Sequence, residues 1–250
     1  MPGFRPRFFI DQETAAPPAE VTLGPTDSHH AVHVLRLQVG DACEVVVGAA
    51  VYAASVSRAE APLKVQLTGR LQGPEAGAAY RSQVGLVQVI SRPALFDQVL
   101  EKGTEVGAGF FVLVPAGAKR LSEQARASRS ARWSRIVLEA AKQSKQVAVP
   151  EVEVMESVER ALSRLRDRGV FSLVLDPGAN DGLPEMLERR SDPALPLALW
   201  VGPEGGWSST DREQFAAGGL GAARLGRGVL RAETAGPVAV AIARFVMRDW

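Results

Sequence analysis

Four nearly continuous apolar segments constrain the fold of this 250-residue chain more than any other feature, and all four lie after residue 80. Strands covered on both faces, as in a parallel sheet, are apolar along their whole length. Helix-length segments lie between them, so we predict an α/β domain. The strands are QVGLVQVI, FFVLVPA, FSLVLDPG and LALWVGPEGG, and the helices are predicted over 94–106, 130–146, 157–168, 208–217 and 234–248.

The first 72 residues follow a different pattern, in which short β-like segments alternate with turn residues. One helical stretch interrupts them, with Asp27 as its predicted N-cap and Ala31, Val34 and Leu35 on its apolar face. Several short strands with one helix predict a small β-barrel. We therefore predict a domain over 1–72, a Gly-, Pro- and Ala-rich linker over 73–80 and a second domain over 81–250. The strands are RPRFFI, CEVVVG, VYAASVS and LKVQLTGRL.

Composition excludes several classes of protein. The one cysteine, Cys43, excludes an intrachain disulfide framework and a thiolate zinc cluster. No apolar run approaches the ~20 residues that span a bilayer, and the N-terminus lacks an apolar signal core. We expect a cytoplasmic protein without a membrane partner. His29 and His33 lie one helical turn apart with no third ligand nearby, so we predict no metal site.

Positive charge is concentrated in one segment, although the net charge is only +1. Residues 119–145 hold eight Lys or Arg against Glu123 and Glu139. Such an excess attracts a phosphate backbone, although a solvated helix face has the same composition.

Three predicted strands end in unusual turns, over 173–178, 199–208 and 224–237. Ligands of open α/β sheets bind beyond the carboxyl ends of the strands. The glycines of the second and third turns permit close approach of the backbone to a ligand, although a tight connection shaped for packing would also use them. Ser208 is a predicted helix cap with Asp211. Arg231 and Glu233 flank the start of the last helix. They could form an ordinary ion pair there or belong to a ligand site.

Five segments together carry a resemblance to a known family. VGPEGG, LGRGVLRAETA, EKGTEVGA, RIVLEAAKQS and HHAVHVLRLQVGD occur in the order and spacing of the RsmE family. Its members are SPOUT-class methyltransferases that methylate a uridine of small-subunit ribosomal RNA at N3. The resemblance covers nearly the whole chain, and the last of the five resembles that family's PUA-like RNA-binding domain.

The resemblance implies a fold and a cofactor. The fold is a SPOUT-type trefoil-knotted parallel sheet preceded by a PUA-like β-barrel, and the cofactor is S-adenosyl-L-methionine. Backbone groups of glycine turns can hydrogen-bond an adenine edge while leucines cover its faces. The implied cofactor-binding residues are Leu175, Asp176, Pro177, Leu199, Gly202, Pro203, Glu204, Gly205, Leu225, Gly226, Val229, Leu230 and Thr234.

Methylation at N3 requires that the weakly acidic N3–H of uracil lose its proton. Arg231 is the predicted stabiliser of the developing anion. Glu204 or Glu233 is the candidate base, although each carboxylate would serve equally to fix a loop.

N3 lies on the Watson–Crick edge, so the target uridine must be unpaired. The implied partner is 16S ribosomal RNA of the small subunit. SPOUT-class enzymes are normally homodimers, and Trp207, Phe245, Val246 and Trp250 are candidates for the interface or for the core. The predicted RNA-binding residues are Arg5, Arg7, His30, His33, Arg36, Arg132 and Arg135.

Three alternatives remain at this point. A ribose 2′-O methyltransferase shares the knot but usually has another N-terminal module, and a non-catalytic ribosome assembly factor would retain the fold. A Rossmann dehydrogenase lacks support because no glycine fingerprint follows the strand near residue 90.

Overall fold

The computed structural model describes residues 5–10, 17–48, 50–72, 82–90, 93–116 and 119–249. The chain divides into two units, Met1–Arg81 with Ala141–Ala148, and Ser82–Ala140 with Val149–Trp250. The predicted linker over 73–80 lies outside the described residues. The division differs from the predicted domains because the first unit extends to Arg81 and also includes residues 141–148.

The first unit is a curled five-stranded sheet with one helical segment, and the sequence predicted the helical segment and every strand except β2. The strand order is β1-β3-β4-β5-β2, with β1 parallel to β3 and the other pairs antiparallel. Register shifts between β4 and β5 mark irregularities of the kind that bend a sheet. The elements are β1 (Arg7–Ile10), β2 (Glu20–Thr22), α1 (Pro25–His29), a π-helix (His30–Val34), β3 (Ala42–Val47), β4 (Ala50–Arg58) and β5 (Lys64–Gln72).

The helical segment begins earlier than predicted. Gly24 is its N-cap and Pro25 occupies the first turn, where a missing N–H costs nothing, so the prediction of Asp27 as N-cap was wrong. The π-helix then widens the turn, and the Leu35 N–H bonds the His30 carbonyl. Val34, predicted on the buried face, is 60% exposed.

The second unit contains the predicted parallel sheet. Its order is β11-β9-β10-β6-β7-β8, and every neighbouring pair is parallel. Each predicted helix is present within a few residues of its predicted bounds, except that α3 begins seven residues earlier. The elements are β6 (Val84–Val89), α2 (Pro93–Glu105), β7 (Phe110–Val114), α3 (Glu123–Gln143), β8 (Glu151–Val154), α4 (Val158–Asp167), β9 (Phe171–Leu175), α5 (Leu183–Glu188), β10 (Leu197–Val201), α6 (Ser209–Ala217), β11 (Gly221–Ala223) and α7 (Ala232–Val246).

Both faces of this sheet are buried, which explains the continuous apolar segments. Leu86 and Leu199 belong to one core cluster, which includes residues of α2 and α7. Val87 and Trp200 face the opposite way and belong to a cluster with residues of α4 and α6. The three strands β11, β9 and β10 lie side by side, so their carboxyl ends meet at one edge of the sheet. Among the described residues, no helix is long and apolar enough to cross a membrane.

Candidate functional site

Three loops leave the sheet at this edge, as predicted from the strand ends. We call them loop 1 (176–182, after β9), loop 2 (202–208, after β10) and loop 3 (224–231, after β11). Because the strands are parallel neighbours in the order β11-β9-β10, loop 1 lies between the other two.

Loops 1 and 3 are joined by backbone hydrogen bonds. The Arg224 N–H donates to the Asp181 carbonyl at 2.9 Å, and the Asp176 N–H donates to Ala223 at 3.0 Å. The Arg224 guanidinium also donates to the carbonyl oxygens of Ala179, at 3.0 Å, and Asn180. The two loops therefore form one continuous wall.

Loop 2 is a tight turn that packs against an aromatic side chain, Trp207. Gly206 has φ +76°, a left-handed conformation that favours glycine, and its N–H donates to the Pro203 carbonyl at 2.8 Å. The Trp207 indole lies so close under Gly202 that a Cβ there would be 3.1 Å from it. Trp207 and Phe215 pack edge to face with ring centroids 4.8 Å apart, so Trp207 belongs to the core.

The predicted cap of the following helix is present. The Ser208 hydroxyl accepts from the Asp211 N–H at 3.1 Å, and the Asp211 carboxylate accepts from the Ser208 N–H at 3.0 Å. This capping box fixes the point at which loop 2 enters α6.

The three loops and the first turn of α7 surround a cavity of about 410 Å³. It lies within the ~300–1,000 Å³ range typical of small-molecule sites. Most of the residues predicted to bind the cofactor line it, together with Arg231. These are Leu175, Asp176, Pro177, Gly202, Pro203, Glu204, Gly205, Leu225, Gly226, Val229 and Leu230.

Three predicted site residues do not line the cavity. Leu199 is fully buried in the sheet core, two residues before the strand end. Thr234 is exposed in the first turn of α7, where its N–H donates to the Arg231 carbonyl at 2.9 Å. Glu233 lines an adjacent cleft together with Leu95, Glu204 and Arg231.

Seven lining residues were not among the predicted site residues. Two are glycines of the same loops and Trp207 belongs to loop 2, so the glycine-rich pattern already pointed to them. The small residues of α7 allow that helix to approach the loops. Arg212 of α6 had no signal, because it resembles any exposed helical arginine. The seven are Val201, Gly206, Trp207, Arg212, Gly228, Ala232 and Ala235.

The cavity wall carries two acidic and two basic side chains. The Arg212 guanidinium forms an ion pair with the Asp176 carboxylate. Arg231 and Glu204 are exposed. No residue in the described part of the chain forms an ion pair or hydrogen bond with the Arg231 guanidinium. Arg231 therefore offers an unpaired cation at the cavity.

The predicted RNA-binding residues of the second unit are exposed on α3. Arg132 forms an ion pair with Asp97 at 2.5 Å. Arg135 has no such partner in the described part of the unit. Exposed ion pairs are weak, so both guanidinium groups remain accessible to an anion.

The predicted RNA-binding residues of the first unit fall into two classes. Arg5, His30, His33 and Arg36 are exposed. Arg7 is 8% exposed, and its guanidinium bonds Glu44 and the backbone carbonyl oxygens of Lys145 and Gln146. This placement argues against a phosphate contact by Arg7, because its donors are already used inside the unit.

The surroundings of two neighbouring residues of the first unit shift their pKa values. Burial, with the nearby Glu44 charge, raises the pKa of the Cys43 thiol to about 11. Burial acts to raise the pKa of Glu44, but hydrogen bonds from Lys145 and Arg7 outweigh it and leave that pKa below its ordinary value. Cys43 is therefore an unreactive core residue. No group of three or more His, Cys, Asp or Glu in the described ranges is arranged to hold a metal ion.

Comparison with known proteins agrees with this architecture. A family model described as an RNA methyltransferase domain matches residues 79–244, and one described as an RNA methyltransferase PUA domain matches residues 23–60. Two curated relatives are named Ribosomal RNA small subunit methyltransferase E. The one from Synechocystis is 29% identical over 226 residues, 89% of this chain and 72% of the relative. The one from Mycobacterium bovis is 28% identical over 229 residues, 90% of this chain and 86% of the relative.

A solved structure shows the same fold. It is a Ribosomal RNA small subunit methyltransferase E from Neisseria gonorrhoeae bound to S-adenosyl methionine, with a TM-score of 0.81 and 24% identity. The alignment covers 97% of this chain and 98% of that one. These matches confirm the resemblance drawn from the five segments, and the chain belongs to the RNA methyltransferase family.

Proposed function

We propose that this protein transfers a methyl group from S-adenosylmethionine to N3 of one unpaired uridine in 16S ribosomal RNA, on the assembled small subunit. The observation that carries the proposal is the single cavity formed by the three loops of an RNA methyltransferase domain. The names of the relatives support the ribosomal substrate, and the SAM-bound neighbour supports the donor.

The cavity fits this donor in size and in chemistry. Gly205, Gly226 and Gly228 face open space, because a Cβ on any of them would meet nothing within 4 Å. A bulky ligand can therefore lie directly against the backbone, where N–H and C=O groups hydrogen-bond an adenine edge. Leu225 and Leu230 supply apolar contacts. When bound, S-adenosylmethionine supplies an electrophilic methyl group on a sulfonium.

The order of the last elements supports a trefoil knot. After β10 the chain returns to pair β11 with β9, and α7 then packs on β6 and β10. In the proposed knot, the segment from β11 to α7 passes through the loop that precedes it. The threading holds loop 3 against loops 1 and 2.

The cleft beside the cavity is the acceptor site. It is lined by Leu95, Glu204, Arg231 and Glu233, and it shares Glu204 and Arg231 with the cavity. A uracil ring placed there has an apolar contact from Leu95. The Arg231 guanidinium stabilises negative charge on O2 or O4 of the base. A carboxylate oxygen of Glu204 or Glu233 accepts the N3 proton as N3 gains the methyl group.

Each unit offers exposed basic side chains to the RNA. In the first unit these are Arg5, His30, His33 and Arg36, three of them within the matched PUA segment. In the second unit they are Arg132 and Arg135 of α3. Contacts with phosphates fix the position of the RNA, while the acceptor site reads the base.

We also propose that the enzyme is a cytoplasmic homodimer. Phe245 of α7 is 76% exposed, which is unusual for a large aromatic side chain and suits an interface. Trp250, another interface candidate, lies outside the described residues.

The decisive experiment is methyl incorporation into small-subunit particles that lack the modification, with the product nucleoside identified by mass spectrometry. We expect N3-methyluridine. A 2′-O-methylated nucleoside would instead indicate the ribose specificity. Absence of S-adenosylmethionine binding by calorimetry would favour a non-catalytic assembly factor.

A further inference from the structure

Arg212 connects two walls of the cavity. It lies in the first turns of α6, and its guanidinium pairs with the Asp176 carboxylate of loop 1. Its Nε donates to the Trp207 carbonyl of loop 2 at 3.4 Å. The side chain thus spans loops 1 and 2 at the surface of the cavity that both residues line.

The position of Arg212 is unfavourable apart from this partner. The N-terminal end of a helix carries partial positive charge, which disfavours a cation in the first turns. The Asp176 carboxylate offsets this cost. Its side chain is 13% exposed, and it also accepts from the Gly178 N–H at 2.9 Å. Each charge of the pair therefore compensates the other at the cavity wall.

We propose that the Asp176–Arg212 pair sets how strongly the cavity distinguishes the cationic donor from its uncharged product, an inference that rests on the proposed function. S-adenosylmethionine carries a sulfonium charge, and S-adenosylhomocysteine has a neutral sulfur. Any charge inside a cavity of this size lies within about 10 Å of the wall, where salt screens incompletely. An Asp176 carboxylate without its partner would attract the sulfonium of the donor and strengthen its binding. An Arg212 guanidinium without its partner would repel the sulfonium and weaken its binding.

Compensation of the two charges has a catalytic consequence. Tight binding of the donor in its ground state lowers KM without raising kcat, because the positive charge is lost from sulfur as the methyl group leaves. A neutral wall avoids this excess binding. Arg212 is thus a positioning and specificity-determining residue that acts through Asp176.

The test is calorimetric titration of the full-length protein with S-adenosylmethionine and with S-adenosylhomocysteine. The variants are Arg212→Gln, Asp176→Asn, the double variant and Arg212→Lys. The readout is the ratio of the two dissociation constants within each variant, which a loss of folded protein does not change. Arg189→Gln is the matched control, because Arg189 forms an exposed pair with Asp181 outside the cavity lining.

Arg212→Gln should shift the ratio in favour of the donor by about threefold or more, and Asp176→Asn should shift it toward the product by a similar factor. The double variant, Arg212→Lys and Arg189→Gln should keep the wild-type ratio. Equal changes in both affinities for Arg212→Gln and Asp176→Asn would overturn the inference and leave the proposed function intact. If the wild-type protein bound neither ligand, the proposed function itself would be wrong.

Discussion

The Arg7 guanidinium donates a hydrogen bond to the backbone carbonyl of Gln146 at 2.9 Å, although 139 positions separate the two residues in the chain. The same guanidinium pairs with Glu44 at 2.8 Å. Arg7 therefore attaches residues 141–148 to the sheet of the first unit.

Arg7→Met should destabilise the first unit by about 3 kcal/mol, because it leaves a largely buried carboxylate and two carbonyl groups without this donor. Hydrogen exchange of the β3 backbone amides measures this loss of stability. Arg58→Met is the control, since Arg58 pairs with Glu60 on the exposed surface and should change stability by less than about 1 kcal/mol. Equal protection of β3 in the two variants would contradict the assigned role.

The stability of the first unit should decrease in acid through Glu44. Its pKa in the folded protein lies below its ordinary value of 4.5. A depressed carboxyl pKa contributes stability that is complete above the unfolded value and is lost as the pH falls through the folded one. Denaturant unfolding between pH 6 and about pH 3 measures the loss of stability. Glu44→Gln should make stability depend less on pH than in the control variant Glu60→Gln.

Gly107→Ala should destabilise the second unit by about 2–4 kcal/mol. Gly107 has φ +85°, and a Cβ there would overlap the Arg244 guanidinium, which donates to the Val106 carbonyl at 2.9 Å. Gly169→Ala tests the effect of the positive φ alone, because Gly169 has φ +67° and nothing lies within 4 Å of a Cβ there. Chemical denaturation should show a smaller loss in the free energy of unfolding for Gly169→Ala than for Gly107→Ala. Equal losses would exclude overlap with Arg244 as a cause.

Gly226→Val should weaken donor binding without unfolding the protein. The new side chain would project into open space at the cavity and occupy volume that the donor needs. We expect affinity for S-adenosylmethionine to fall by about tenfold or more in calorimetry. Gly69→Val, on β5 and also without neighbours within 4 Å, should leave affinity unchanged. Wild-type affinity in Gly226→Val would remove loop 3 from the donor site.

Arg231→Ala should lower turnover by about 100-fold or more and change donor affinity by less than about threefold. The guanidinium acts on charge that develops in the base, so its loss affects the chemical step. Single-turnover assays and calorimetry measure the two effects. Arg227→Ala, in the same loop but outside the lining, is the control. Equal losses of turnover and affinity would exclude a catalytic role.

The sequence predicted the parallel sheet because its central strands are buried on both faces and therefore apolar throughout. It missed β8 and β11, the two edge strands of this sheet. EVEV alternates at a sheet edge, and GAA is too short and too small to show a pattern. The glycine-rich turns predicted the cavity, because parallel neighbouring strands bring their carboxyl ends together.

Individual side chains were harder to predict than the loops that carry them. Leu199 lies in the implied cofactor motif and faces the same core cluster as Val201, but it sits two residues before the strand end, so only Val201 reaches the cavity. Arg7 has the charge expected of a phosphate contact, and only its distant partners show that it is buried. Arg212 became recognisable only when the fold brought Asp176 to it.

Helix α3 begins in one unit and ends among residues assigned to the other. Near that end, Lys142 pairs with Asp27 at 2.5 Å and Lys145 with Glu44 at 3.1 Å. A fragment starting at residue 82 would lose both of these carboxylates, and a fragment ending at residue 81 would leave Arg7 without its carbonyl acceptors. A cut between residues 81 and 82 would therefore break contacts inside the first unit, because that unit is discontinuous in sequence.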